Sequence, residues 1–267
     1  MRTTTRRIST AVATAALAAA VTAPAFAAQT DSLESIAHRG DKEHHPDNSV
    51  AGIRSAVDKG ADLVEIDVIY NPDGDTFFLN HDNRCSGPGG SATIDRDAYE
   101  VVTERCALPE LDDVLATYGS EGYLSFVVEY KSTSRTTTES ADDLVETIEA
   151  AGAIDDMWVS SLDDDLLAAV RDTGTDISLM RVRGYSGPIN VGDAWLRETA
   201  ELGYDAANVN IGAWTRAKAD LAESLGLETV GWAWPTASEG DNTTAIEYDL
   251  DMFMTDRLDD LHAQLGR

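Results

Sequence analysis

The chain has 267 residues, 48 of them Asp or Glu and 20 Lys or Arg, for a formal net charge of −28. Nucleic acid and anionic membrane surfaces are bound through Lys/Arg footprints, so a surface this acidic argues against both as partners. The same field favours a cation in any cleft.

Residues 1–27 read as an export signal. Arg2, Arg6 and Arg7 form a basic start, an apolar Ala-rich stretch follows, and Ala25-Phe26-Ala27 has the small-x-small pattern of a cleavage site. Cleavage after Ala27 leaves residues 28–267 as one domain, and losing the three arginines takes the net charge from −28 to −31. No later stretch is long and apolar enough to span a bilayer, so the mature protein is expected to be secreted, soluble and monomeric, without a membrane anchor. In an exported chain the two cysteines, Cys85 and Cys106, read as a disulfide. It closes a loop of about 20 residues, worth roughly 3 kcal/mol in the chain-entropy description.

Through the mature chain short β-like runs alternate with helical stretches, the pattern of βα units around a parallel sheet. "SVAGIRSAVDKG" puts Val50, Ile53 and Val57 on one helical face, capped by Asn48 or Ser49 and stopped by Gly60. "LDDVLATYG" repeats the pattern with Leu111, Val114, Leu115 and Tyr118. In "SSLDDDLLAAVRDTG", Ser161 stands three residues before Asp164, a capping-box spacing, with Leu162, Leu166 and Val170 facing inward. "TRAKADLAESLG" closes at Gly226.

Nine strands are expected: "ESIAH", "LVEIDVI", "TFFLNH", "LSFVVEYK", "MWVSS", "ISLM", "AANVN", "TVGWAW" and "DMFMTD". Only "NPDGD" separates the second from the third, too short for the crossover that a parallel neighbour requires. The third is therefore a hairpin arm. Eight parallel strands remain, and the fold class is α/β, a (β/α)8 TIM barrel with a β-hairpin arm after strand 2.

Catalytic groups of such barrels gather at the carboxyl ends of the strands. His38 and Arg39 end the first strand. Glu65 and Asp67 are two apart in the second, hence on one face, and so are Glu129 and Lys131 in "VVEYK". The arm ends at His81-Asp82. Carboxylates crowded inside a strand repel unless a cation or proton shares them. Three of them suit one hard divalent cation, Mg²⁺ or Ca²⁺, better than zinc. Arg39 and Lys131 beside the ion suit a phosphate, and two histidines suit general acid–base work. His44, His45 and His262 read as structural. The chemistry is phosphodiester cleavage.

With these residues in order, the sequence resembles the glycerophosphodiester phosphodiesterase family, related to phospholipase D-type members of the same barrel superfamily. "HRG" with "PDNS", "EIDV", "NPDGDTFFLNHD", "LPELDDVL", "VEYK", "VSS" and "FMTDRL" correspond to the family's segments across nearly the whole mature chain. The resemblance implies metal ligands Glu65, Asp67 and Glu129, acid/base histidines His38 and His81, phosphate contacts from Arg39 and Lys131, and Trp232 as a wall of the substrate pocket. "GWAWPT" departs from the family pattern after Trp232, which leaves the organic group of the substrate open. The substrate expected is a glycerophosphodiester of the choline or ethanolamine type. The alternative is a phospholipase D-type or head-group-specific hydrolase acting on lysophospholipids or glycerophosphoethanolamine. A non-catalytic secreted binding barrel is the remote alternative.

Overall fold

The computed structural model describes residues 33–267 apart from 121, 124, 137–138, 153–156 and 185–190. The export signal and its cleavage site lie outside the described residues. Eight parallel strands close into a ring: β1 (Glu34–Ala37), β2 (Leu63–Asn71), β6 (Phe126–Tyr130), β7 (Trp158–Ser161), β8 (Ser178–Arg183), β9 (Ala206–Asn210), β10 (Glu228–Trp232) and β11 (Met252–Thr255). β1 pairs with both β2 and β11, which seals the barrel. The arm β3 (Thr76–Leu79) runs antiparallel to β2, Val68 opposite Leu79.

One piece of sheet went unforeseen. β4 (Arg84–Gly87) and β5 (Gly90–Thr93) form a separate hairpin inside the Cys85–Cys106 disulfide loop, packed on α2 (Tyr99–Cys106). Its Arg-Cys-Ser-Gly and Gly-Ser-Ala-Thr sequences lack the β-branched and aromatic runs by which strands are recognised.

The helices are α1 (Val50–Asp58), α2, α3 (Leu111–Ser120), α4 (Glu139–Ala151), α5 (Asp164–Asp172), α6 (Asp193–Glu201), α7 (Arg216–Ser224), α8 (Glu239–Glu247) and α9 (Leu258–Leu265). The expected inner face of α3 is buried throughout, at Leu111, Val114, Leu115 and Tyr118. Two details differ from the periodicity. In α1 the packed face is Gly52, Ile53 and Ala56, while Val50 at the first position is exposed. Ser49 is its cap, accepting from Gly52 N at 3.1 Å. In α5 the cap is Asp163 rather than Ser161, and Leu162 is exposed. Ser161 still belongs to β7, and its Oγ donates to the Tyr130 carbonyl on the next strand at 2.8 Å.

Among the described residues five returns from helix to strand end alike, the one after α3 through Gly122 and Tyr123 and four that agree further. After α1, α6, α7 and α8 a residue with left-handed backbone, Gly60, Gly203, Gly226 or Asp249, donates its N–H to the carbonyl three residues back. The next residue, Ala61, Tyr204, Leu227 or Leu250, donates to the carbonyl five back and is buried. This is the Schellman ending, whose paired bonds satisfy the last helical carbonyls. An acid comes third. Asp62 accepts from Ser35 N and Oγ on β1, Asp205 from Leu179 N on β8, and Asp251 from Thr229 N and Oγ1 on β10. Each aspartate thus ties the start of its strand to the neighbouring strand.

Candidate active site

β1 delivers His38 to the mouth and then turns sharply. Arg39 and Gly40 both have positive φ, 58° and 82°. A Cβ on Gly40 would stand 2.7 Å from the Gly52 carbonyl carbon of α1, so this place in the turn admits glycine alone. The turn is fixed to β2, because Arg39 N donates to Glu65 Oε2 at 2.7 Å. Asn48, also in left-handed backbone, exchanges two bonds with Asp67: its Nδ2 donates to Oδ2 at 2.8 Å, and Asp67 N donates to its Oδ1 at 2.9 Å.

In β2 the period of two turns Glu65 and Asp67 into the barrel, and register sets Asp67 beside Glu129 of β6. Ligand oxygens from Glu65, Asp67 and Glu129 lie within 4.8 Å of one another. Lys131 Nζ reaches Glu129 Oε1 at 2.7 Å and Asp67 Oδ1 at 2.8 Å. Arg39 Nε lies 3.1 Å from Asp67 Oδ2, and its NH1 donates to Asp47. Burial pushes the Glu65 carboxyl well up, and Asp67 and Glu129 push it further against the pull of Arg39 and Lys131. Asp67 is equally buried, yet Lys131 and Arg39 outweigh that and hold it at about 2.

Among the described residues Glu65 Oε1 is buried without a hydrogen-bond partner. A buried carboxylate oxygen left in that condition is costly unless a cation takes it up. The all-oxygen donor set fits a hard divalent cation.

The histidines face the same cleft. His38 Nδ1 bonds Asp256 Oδ1 at 2.6 Å. Asp256 also accepts from Ala237 N at 2.6 Å and takes an ion pair from Lys42 at 2.9 Å. Burial would raise the Asp256 carboxyl, but His38 and Lys42 outweigh it and hold it at about 2. An ionised carboxylate on Nδ1 makes that nitrogen the donor and leaves Nε2 as the free acceptor. His81 Nδ1 has the same kind of partner in Asp82 Oδ1, at 2.9 Å and open to solvent.

His38, Arg39, His81, Glu129 and Lys131 share a cavity of about 340 Å³ with Trp232. Its other walls are largely apolar, including Leu162, Val182, Trp234 and Met254. All the residues singled out for chemistry meet in or beneath this cleft. His44 bonds Asp41, and His262 bonds Ser35 behind the barrel wall. Lys42, Asn208 and Asp256 have no role in the sequence pattern, and Asn48 only that of a candidate cap for α1. For Asp256 there was a usable signal. It ends the last strand, and ring closure brings that end beside His38.

The sequence model described as "Glycerophosphoryl diester phosphodiesterase family" matches residues 38–260. No curated protein matches the chain significantly in sequence. Solved structures share the fold at low identity. A phosphodiesterase of Oleispira antarctica in complex with the product sn-glycerol-3-phosphate is 17% identical with a TM-score of 0.74, over 88% of this chain and 97% of that one. A glycerophosphodiester phosphodiesterase of Parabacteroides distasonis is 19% identical, with a TM-score of 0.73 over 88% and 98%. One from Agrobacterium tumefaciens is 16% identical, with a TM-score of 0.71 over 88% and 100%.

Proposed function

The chain belongs to the glycerophosphoryl diester phosphodiesterase family and is a phosphoric diester hydrolase, and from that premise we propose an exported, divalent-metal-dependent enzyme that cleaves glycerophosphodiesters by histidine acid–base catalysis. One observation carries the reading: three carboxylates, two carboxylate-backed histidines and two cations converge on one cleft at the carboxyl ends of the barrel strands. Glu65, Asp67 and Glu129 are the metal ligands. When bound, Mg²⁺ or Ca²⁺ neutralises charge on the phosphoryl oxygens.

The protein's own groups do the rest. Arg39 and Lys131 bind the phosphate and share its charge. Asp256 and Asp82 hold the Nδ1 side of His38 and His81, which leaves Nε2 of each ring for the cavity. One histidine takes the proton of the attacking hydroxyl, from water or from a neighbouring alcohol of the substrate. The other gives a proton to the leaving alkoxide oxygen. Trp232 walls the pocket for the organic group. Export is supported by the basic-apolar start of the chain and by the Cys85–Cys106 bond, since disulfides persist in oxidising compartments.

A second reading, a lysophospholipid substrate, is favoured by two apolar side chains left open at the mouth, Leu162 at 52% and Trp234 at 60% exposure. The test is a phosphorus NMR time course with glycerophosphocholine, glycerophosphoethanolamine and a choline lysophospholipid, chelated and metal-replete. Metal-dependent glycerol 3-phosphate is expected from the first two. Lysophosphatidate, linear or cyclic, moves the enzyme to the second reading, phosphoethanolamine or a cyclic glycerophosphate to a head-group-specific hydrolase, and no turnover in any tube overturns the proposal.

A further inference from the structure

Asn208 is a polar residue in a place that packing does not explain. It lies on β9 with its side chain inside the barrel and is 1% exposed. Its register partners are Val182 on β8 and Val230 on β10. Among the described residues its Nδ2 has only the Met180 thioether, at 3.3 Å, and its Oδ1 has no partner. A buried amide among apolar neighbours destabilises the fold unless it is paired.

A second unpaired group stands beside it. Trp232 on β10 carries a buried Nε1–H that also lacks a partner among the described residues. Its register partner is Asn210, so Asn208 sits one inward row below it on the adjoining strand. Both residues line the cavity that holds His38 and His81. The cavity floor thus offers one acceptor and one donor, neither of them used by the described residues.

An ammonium could serve only the acceptor, a carboxylate only the donor, and an alkyl group neither. A hydroxyl both donates and accepts. We infer that Asn208 and Trp232 together read a free hydroxyl on the alcohol of the substrate, making Asn208 a specificity-determining residue that selects a polyol over an alkyl phosphate. The inference rests on the proposed reading of the cleft as the phosphodiesterase site and adds the feature of the alcohol that it recognises. A substrate lacking the hydroxyl strips both groups of solvent and returns nothing, which is the situation in which polar sites discriminate most strongly.

The experiment is calorimetric binding of two monoesters to the full chain in Mg²⁺ buffer: glycerol 3-phosphate, and n-propyl phosphate, which has the same carbon skeleton without hydroxyls. The chain is expected to prefer glycerol 3-phosphate by about tenfold or more. In Asn208→Leu, close in volume but without the amide, the ratio should fall towards one. Trp232→Phe, which keeps a ring and removes the N–H, should lower it as well, and it serves alone if the leucine variant does not fold. Equal affinities in the unaltered chain, or a ratio untouched by the variants, overturn the inference, as does no binding of either ester. Hydrolysis of glycerophosphocholine is followed in parallel. Preference without turnover sinks the catalytic reading and leaves this one, whereas turnover without preference sinks this one alone.

Discussion

The proposed proton exchange at His38 requires Nε2 facing the cleft in its unprotonated form, a condition that Asp256 favours through Nδ1. An asparagine there can donate to Nδ1 and so favours the opposite tautomer. Asp256→Asn is therefore expected to lower kcat by about 100-fold or more with little change in KM. Steady-state kinetics on glycerophosphocholine, with circular dichroism to verify folding, checks it; an equal loss through KM would mean that Asp256 serves binding instead. Several residues of the site could be read in advance because strand geometry makes them legible. Glu65 with Asp67, and Glu129 with Lys131, are two apart in runs that are otherwise apolar. Asn208 was not legible. In "AANVN" an asparagine looks the same whether it faces solvent or a barrel interior, and what leaves it unpaired is contributed by β8 and β10, far away in sequence.

Among the elements, the repeated helix ending shows one departure from its own rule. Four of the five junctions use glycine at the left-handed position, and the fifth uses Asp249 at φ 55°. Aspartate tolerates that backbone better than most residues but pays a steric penalty that glycine lacks. Asp249→Gly gives up an exposed ion pair with Arg216, of the kind that contributes little. It is expected to stabilise the fold by about 0.5–1 kcal/mol, read as a shifted urea midpoint at constant slope. An unchanged or lower midpoint would give the ion pair the larger part. Helix periodicity succeeded where one face does all the packing, as in α3. It failed at α5, where β7 runs on to Ser161 and uses that hydroxyl in the sheet, so the helix takes its cap from Asp163 two residues later. The β4–β5 hairpin escaped notice because backbone pairing within a disulfide loop, rather than residue type, makes it a sheet.

Across the whole molecule the acidity is uneven, and at the barrel rim opposite the cleft it has a measurable consequence. Glu228 opens β10 at the place where the junctions after α1, α6 and α8 carry a clamping aspartate. Partial burial, together with Asp251, Glu34 and Asp205, pushes its carboxyl up to about 7, although the residue as a whole is exposed to solvent. An acid that binds its proton more tightly folded than unfolded costs stability as pH rises between its two pKa values. Here that window runs from the ordinary glutamate range to about 7. Glu228→Gln is expected to leave stability at pH 4 nearly unchanged and to raise it at pH 8, with a smaller gain at high salt. Urea unfolding at the two pH values checks this, and an equal gain at both would assign the effect to packing instead. The eight-strand ring itself was legible from the count of βα units and from the one gap too short for a crossover.

The ring also brings the two ends of the described chain together. Arg267 bonds the Asp62 carboxylate and the Leu33 carbonyl, one on each side of the seam between β1 and β2. Since β1 is held by β2 on one side and β11 on the other, no barrel contact depends on which strand is made first. The linear order of the gene is then one cut of a circle among several. A circular permutant joining residue 267 to residue 33 through a short linker, and reopened at the exposed turn after α5 near Gly174, should refold to the same barrel with its cleft intact.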